Sequence, residues 1–399
     1  MIYFDNAAST PVCDQALQAV VKHLDKNTAN ASSAHTLGRK TNKLILQAKA
    51  AFEKILSLSN GQIIFTSGAT EANNIAVHSI YSRYIKEGRK YNIVTLPIEH
   101  ASVYNTIQQY FSGDLFEIRY IKTNPDGTFD TDHFLSLIDE ETLLISIGFV
   151  NNELGSRYEI CTLACEAKKI NPDLIFHSDM AQSAVKIPFH MDNSHIDIIT
   201  LSGHKFHSPQ GIGALIAKEH VKLSPLVLGG DQEGGLRAGT ENVAFIEAMR
   251  VAAEYSSARL REDFTQVSQM RSFIEKEIED RVADVIFNTP QNVQKSTPYI
   301  LSVAFEGCKG EVLMRMLDEA GICVSTSSAC SSRKGVSYAL LNAGIDRRVA
   351  EATIRISFSR YNTFEECSVL VDALEKAVKR MRRFSPNKRI SSNKNKKVV

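Results

Sequence analysis

From Gln62 onward, short apolar runs alternate with longer segments whose apolar residues recur every three or four positions. That alternation predicts a mostly parallel sheet covered by helices. The expected strands are 62–67 (QIIFTS), 92–98 (NIVTLPI), 143–150 (LLISIGFV), 174–178 (LIFHS), 197–202 (DIITLS) and 213–217 (GALIA). Stretches such as 162–170 (TLACEAKKI) carry the spacing of amphipathic helices between them. Charged helical sequence from about Ala252 to Val282 then leads into a second region. There 299–307 and 352–360 read as strands, 311–321 as a helix ended by glycine, and a last helix runs through Met381. The pattern predicts an α/β fold with a large, mostly parallel sheet domain and a smaller α+β domain. Residues 385–399 are polar, basic and without periodicity, and are expected to form a disordered tail.

Composition narrows the function classes. The chain has 399 residues, 43% of them apolar and 23% charged, which is ordinary for a globular protein. Its formal net charge of +1 provides no global field for nucleic acid or an anionic membrane. A small molecule or another protein is the expected partner. The opening MIYFDNAASTP has no basic stretch followed by a long apolar run, so no signal peptide is expected. No stretch approaches a membrane span, and the cytoplasm is the expected location. Seven cysteines scattered over a long chain are no disulfide framework. Cys161 and Cys165 form a C-x3-C pair with no second pair at zinc-site spacing, so they read as core thiols, as do Cys13, Cys308 and Cys367.

Candidate chemistry gathers where the strands end, which is where open α/β sheets bind ligands. The first strand runs into SGATEANN, where Gly68 permits a tight turn and Ala69 and Thr70 open a helix whose N–H groups favour a phosphate. By itself Thr70 could equally be a helix cap. The second strand ends in IEHAS, which places His100 at the same edge; the third ends in NNELG, where Glu153 and two amides share a loop or turn. HSDMAQ brings Asp179 and Gln182 together, and LSGHKF brings Ser202, His204 and Lys205. A lysine directly after a buried strand, beside a histidine, is a candidate Schiff-base lysine, because burial and nearby cations free its amine. Asp179 is available to partner a pyridinium nitrogen. Together these features point to pyridoxal phosphate. Farther on, LGGDQEGGLRAGTEN is a glycine-rich loop whose Arg237 and Thr240 could bind an anion. In GICVSTSSACSSRKG, Cys330 lies among small hydroxyl residues with Arg333 and Lys334 nearby, the setting of an exposed, reactive thiol.

These motifs closely resemble the cysteine desulfurases of the NifS/IscS type, a branch of the class V, fold type I pyridoxal phosphate enzymes. TSGATEANN, IEHAS, NNELG, SGHK, RAGTEN and the SSAC segment occur in family order, and the likeness runs from YFDNAAST to RISFSR and the helix after it. The resemblance implies a fold type I transferase with a large domain over 13–260 and a small one from 1–12 plus 261–384, which carries a mobile cysteine loop at 321–335. It implies that Lys205 binds the cofactor covalently and that His100 stacks on its ring and shuttles protons. Asp179 would pair with the ring nitrogen and Gln182 with the phenolic oxygen. Thr70, Ser202 and His204 would hold the phosphate, with Ala69 and Gly203 in the same cofactor-binding stretches. Thr240 would reach the phosphate of a partner subunit, which implies a homodimer. Asn152, also beside the cofactor, and Arg355 would orient the substrate, L-cysteine. Cys330 would take its sulfur as a persulfide and leave alanine. The persulfide would pass to an iron–sulfur cluster scaffold or a tRNA-thiolation protein, and Cys330 could help hold a transient [2Fe-2S] cluster.

The chain departs from the family in two places. GGDQEGG stands where the family commonly has roughly GGGQERG, so Gly234 replaces an arginine, and the tail differs from the expected scaffold-docking segment. Two further readings are a related class V enzyme, such as a selenocysteine lyase or a small-amino-acid aminotransferase, and a non-catalytic scaffold. A transaminase needs no such thiol, and a degenerate scaffold would be expected to lose at least one of Lys205, Asp179, His100 and Cys330.

Overall fold

The structure, a computed structural model, describes residues 1–26, 29–326 and 336–384. Cys330, Arg333, Lys334 and the tail expected at 385–399 lie outside the described residues. A short strand β1 (Ile2–Tyr3) precedes helices α1 (Asp14–Lys26) and α2 (Thr36–Leu56). Seven strands then alternate with helices: β2 (Gly61–Thr66), α3 (Ala69–Tyr84), β3 (Tyr91–Thr95), α4 (Ala101–Phe111), β4 (Phe116–Tyr120), α5 (Thr131–Ser136), β5 (Thr142–Ser146), α6 (Ile160–Ile170), β6 (Ile175–Asp179), β7 (Ile198–Ser202) and β8 (Gly213–Lys218). They form one sheet in the order β2-β8-β7-β6-β5-β3-β4. β3, β5, β6 and β7 are buried along their whole length, which suits their β-branched and apolar residues on both faces of the sheet.

β8 pairs antiparallel with both β2 and β7, while the other pairings are parallel, so the sheet is mixed and mostly parallel. β4 was absent from the sequence expectation. Its FEIRY alternates apolar and charged residues, as suits an edge strand with one wet face, and so lacks the run that marks its neighbours. Gly213 permits a close crossing beside the site: a Cβ there would sit 2.6 Å from Gly68 Cα and 2.5 Å from the Leu201 carbonyl oxygen.

The charged stretch expected at 252–282 is the end of α7 (Val243–Ala258) followed by α8 (Leu260–Arg281), broken at Arg259. Beyond it come β9 (Val285–Phe287), β10 (Ile300–Phe305), α9 (Gly310–Glu319), β11 (Ile322–Cys323), α10 (Tyr338–Asn342), α11 (Arg347–Glu351), β12 (Thr353–Ser357) and α12 (Phe364–Phe384). β12, β10 and β9 form a separate antiparallel sheet. α9 starts against it at Gly310, where a Cβ would lie 2.4 Å from the Thr353 carbonyl oxygen.

The first residues tie the two regions together. β1 pairs parallel with β11, and Phe4 is fully buried edge-on against Phe358, with ring centroids 5.6 Å apart. Burying such a ring contributes about 2 kcal/mol. The chain then runs to the end of β7, where Thr10 N and Oγ1 both donate to the His204 carbonyl. Ala7 and Ala8 are thereby suspended between the two sheets. Among the described residues, no helix is long and apolar enough to cross a membrane.

Candidate active site

The carboxyl ends of β2, β3, β5, β6 and β7 open on a cavity of about 500 Å³, closed from the other side by Ala7, Ala8 and Arg355. Lys205 occupies a tight turn (Gly203–Lys205) directly after β7. Its Nζ donates to the carbonyls of Ala7 at 2.6 Å and Ala8 at 2.8 Å. Gln182 donates to the same Ala7 oxygen at 2.9 Å, so the lysine and the amide converge on one point of the cavity wall.

Asp179 is the last residue of β6 and is buried. Its two oxygens accept from Asn73 Nδ2 and from the Ala181 backbone N–H, each at 2.8 Å. The neighbouring His177 is fully enclosed; burial pushes its imidazole down to about 4, so it contributes no cation. Among the described residues no lysine or arginine forms an ion pair with Asp179. A buried carboxyl without a protein cation is costly unless a ligand supplies the positive charge.

Opposite this end, α3 begins at Ala69, and Gly68 before it has open space where a Cβ would be, with only Ser202 Oγ within 4 Å, at 3.8 Å. Thr70 is exposed on the first turn, and Ser202 and His204 face the same cup. The unpaired N–H groups of that turn and two hydroxyls suit a phosphate. His204 Nδ1 meets Ser9 Oγ at 3.2 Å. Burial, and then the cations Lys205 and Lys186, push its imidazole down to about 4. It is therefore a neutral ligand with Nε2 left for the cup. Gly203 is buried behind it and lies outside the cavity lining.

His100, at the mouth of β3, lines the cavity and caps α4 through Nδ1. Burial lowers its pKa, with Asp179 opposing the shift and Lys205 adding to it. Across from it Arg355, on β12, is held by the Asn152 carbonyl at 2.9 Å and by Asp5 at 3.0 Å. Its buried Nε has no hydrogen-bond partner among the described residues. Thr240 is not in this cavity. It is exposed on a separate hollow that shares Ser67 and Gly211 with the first and includes Arg237, itself paired with Glu71 at 2.8 Å. Gly234, where the family has arginine, has a φ of +66°, a left-handed conformation that glycine adopts freely.

Several residues of the site had no warning in the sequence. Glu99 is fully enclosed, accepts from the Gly148 N–H at 2.8 Å, and is pushed up to about 8 by burial, so it stays protonated at neutral pH. Glu153 accepts from Ser337 and is pushed up to about 7 by burial. Its place in a turn-like NNELG had indicated only a loop. Ala7, Ala8, Asn73 and Ser102 carry no chemistry-bearing signature, yet each touches a residue that does.

The donor set fits pyridoxal phosphate: an amine for the aldehyde, an otherwise uncompensated carboxyl for the ring nitrogen, a helix start with hydroxyls for the phosphate, and an imidazole over the space between. A mostly parallel sheet with this site at its carboxyl edge, and a second small sheet supplying an arginine, defines a fold type I pyridoxal phosphate enzyme. The chain belongs to the aminotransferase class-V family, whose pattern matches residues 2–370. It is 34% identical over 389 residues to the cysteine desulfurase IscS of Dictyoglomus turgidum, an alignment covering 97% of each chain. A solved NifS-like protein superimposes with a TM-score of 0.88 at 33% identity, covering 95% of this chain and 99% of that one. The structure of SspA in complex with cysteine does so with a TM-score of 0.79 at 32% identity, covering 91% and 100%.

Proposed function

We propose that this chain is a cysteine desulfurase that converts L-cysteine to L-alanine and keeps the sulfur as a persulfide on Cys330. The observation that carries the reading is the meeting of Lys205, Asp179 and Arg355 in a single cavity. Bound pyridoxal phosphate supplies an electron sink for the bonds around an amino acid's Cα. Lys205 would hold the cofactor through its aldehyde, and its amine, once free, would be placed to move protons near the substrate's Cα. Asp179 would pair with the ring nitrogen and keep it protonated, Gln182 would serve the phenolic oxygen, and His100 would cover the ring. Ala69, Thr70, Ser202, Gly203 and His204 form the phosphate cup. Arg355 takes the substrate carboxylate, with Asn152 beside it. The Cys330 thiolate attacks the substrate sulfur: an S–S bond forms, the C–S bond breaks, and the carbon skeleton gains a proton and leaves as alanine.

The same reading has a second copy of the chain supplying Thr240 to the phosphate. It is supported by the exposed Thr240 and by a stripe on α1 formed by Leu17, Val21 and Leu24. It places the enzyme in the cytoplasm, hands the sulfur to an iron–sulfur cluster scaffold or a tRNA-thiolation protein, and lets Cys330 ligate a transient [2Fe-2S] cluster. It also divides the chain into 13–260 and 1–12 plus 261–384, a division that the two separate sheets support.

Incubation of the holoenzyme with L-cysteine and a reductant should release alanine and sulfide in equal amounts, with selenocysteine as the comparison. Turnover of selenocysteine alone would replace this reading with a lyase. Two variants test its parts. Cys330→Ala is expected to keep cofactor colour and lose sulfide release by about a hundredfold or more, as removal of a nucleophile does; full sulfide yield would reject the nucleophile. Arg355→Ala should raise KM for cysteine roughly a hundredfold with a smaller fall in kcat, because a charged fork is lost from a buried site. A KM within twofold of the wild type would show that the carboxylate binds elsewhere.

A further inference from the structure

A chain of hydrogen bonds joins Asp179 to His100 in the cavity wall, and its direction can be read from the groups that can only donate. Asn73, on α3, is completely buried. Its Oδ1 accepts from Thr200 Oγ1 at 2.5 Å, and its Nδ2 donates to Asp179 Oδ2 and to Ser102 Oγ, each at 2.8 Å. The reversed amide would turn its oxygen toward a carboxyl and strip Asp179 of a donor, so Asp179 fixes the orientation. Because Ser102 Oγ accepts from Asn73, its own hydrogen is free for His100 Nδ1, 2.8 Å away. The Ser102 backbone N–H, which can only donate, also points at Nδ1, at 3.2 Å. Nδ1 therefore faces two donors. The ring hydrogen belongs on Nε2, which has no partner among the described residues and lies in the cavity wall.

We propose that Asn73 and Ser102 form a positioning relay that locks His100 as an Nε2–H donor toward the ring and ties it to Asp179. The proposal rests on the desulfurase reading for what occupies the cavity, and goes beyond it in fixing what His100 can do. A base must present a lone pair. Nε2 could present one only if Nδ1 carried the hydrogen, and two donors together with the start of α4 oppose that. Helix N-termini are known to hold catalytic imidazoles neutral as hydrogen-bond donors. In this arrangement His100 orients and polarises, and the proton traffic falls to Lys205. The charged groups facing His100 are Asp179, from β6, Lys205, after β7, and Arg355, from β12 across the cavity; the adjacent Glu99 is held neutral by burial. Sequence alone could not order these residues, because Asn73 and Asp179 are 106 positions apart.

The test is a tautomer measurement on full-length, cofactor-loaded protein carrying 15N-labelled histidine. His100→Gln identifies the resonances by their loss. Long-range 1H–15N spectra at neutral pH are expected to show His100 protonated at Nε2 and bare at Nδ1; a hydrogen on Nδ1 overturns the proposal. Ser102→Ala, which removes a single hydroxyl oxygen, should raise the His100 titration midpoint. It should also lower kcat about tenfold with KM for cysteine unchanged. Asn73→Ala should in addition shift the pH dependence of the cofactor's visible absorbance, through Asp179, whereas Ser102→Ala should not. If both variants keep the wild-type pH profile and a kcat within twofold, the relay is structural filling and the proposal falls. The tautomer is read without turnover, so loss of the desulfurase reading and loss of this one give different results.

Discussion

Lys205→Ala is expected to reduce alanine formation from cysteine by roughly a thousandfold or more, the scale seen when a covalent catalyst is removed. The variant should remain folded. The side chain leaves hydrogen bonds to the Ala7 and Ala8 carbonyls, which both line the open cavity, so water can replace the amine. The loss should be about 1–2 kcal/mol, and the melting temperature should fall by only a few degrees. Among the described residues no other lysine lines the cavity. Lys186, the nearest described alternative, is buried over the Tyr299 ring at 5.4 Å and lies outside the cavity lining. Lys205→Arg sharpens the test, because it restores the cation and the carbonyl contacts without a nucleophilic amine. If Lys205→Arg regained more than about a tenth of the activity, the residue would be an electrostatic support and the covalent role would be lost.

The reach of the sequence can be judged from which contacts are local. Lys205, Ser202, Asp179 and His100 were legible because each ends or follows a strand buried along its whole length, where an apolar stretch gives way to polar residues. β4 was not legible, because an edge strand needs only one apolar face. The floor of the site was not legible either. Gln182 meets the Ala7 carbonyl across 175 positions and Arg355 meets Asp5 across 350, and an alanine carbonyl has no sequence signature at all. Glu99 could have been suspected from its place beside His100, but only enclosure reveals that it is neutral. Cys330 entered through family resemblance, whereas the lysine and its carboxyl partner were reachable from strand ends and elementary chemistry.

Asp179→Asn separates charge from shape at the other end of the ring. The amide is nearly isosteric, so packing against β6 and β7 is preserved. Asp179 now accepts from two N–H donors, Asn73 and Ala181, on different oxygens. An asparagine has one oxygen, so either orientation sets an N–H against an N–H and leaves one donor unsatisfied, at about 1–3 kcal/mol. Loss of the charge should act on chemistry as well as on stability, because no described cation balances Asp179 and its proposed partner is the ring nitrogen. Removing one member of a buried charge pair costs about 3–5 kcal/mol, which corresponds to a fall in kcat of roughly a hundred- to a thousandfold. KM for cysteine should change little, since the proposed carboxylate site is Arg355 and not Asp179. Cofactor affinity, measured by dialysis and absorbance, should weaken in the same variant. Asp179→Glu is the control: it restores the charge at the wrong reach and should recover part of the colour but little of the rate. If Asp179→Asn kept kcat within tenfold, the protonated ring would not be required, and the unbalanced carboxyl would have to be explained by the Asn73 network alone.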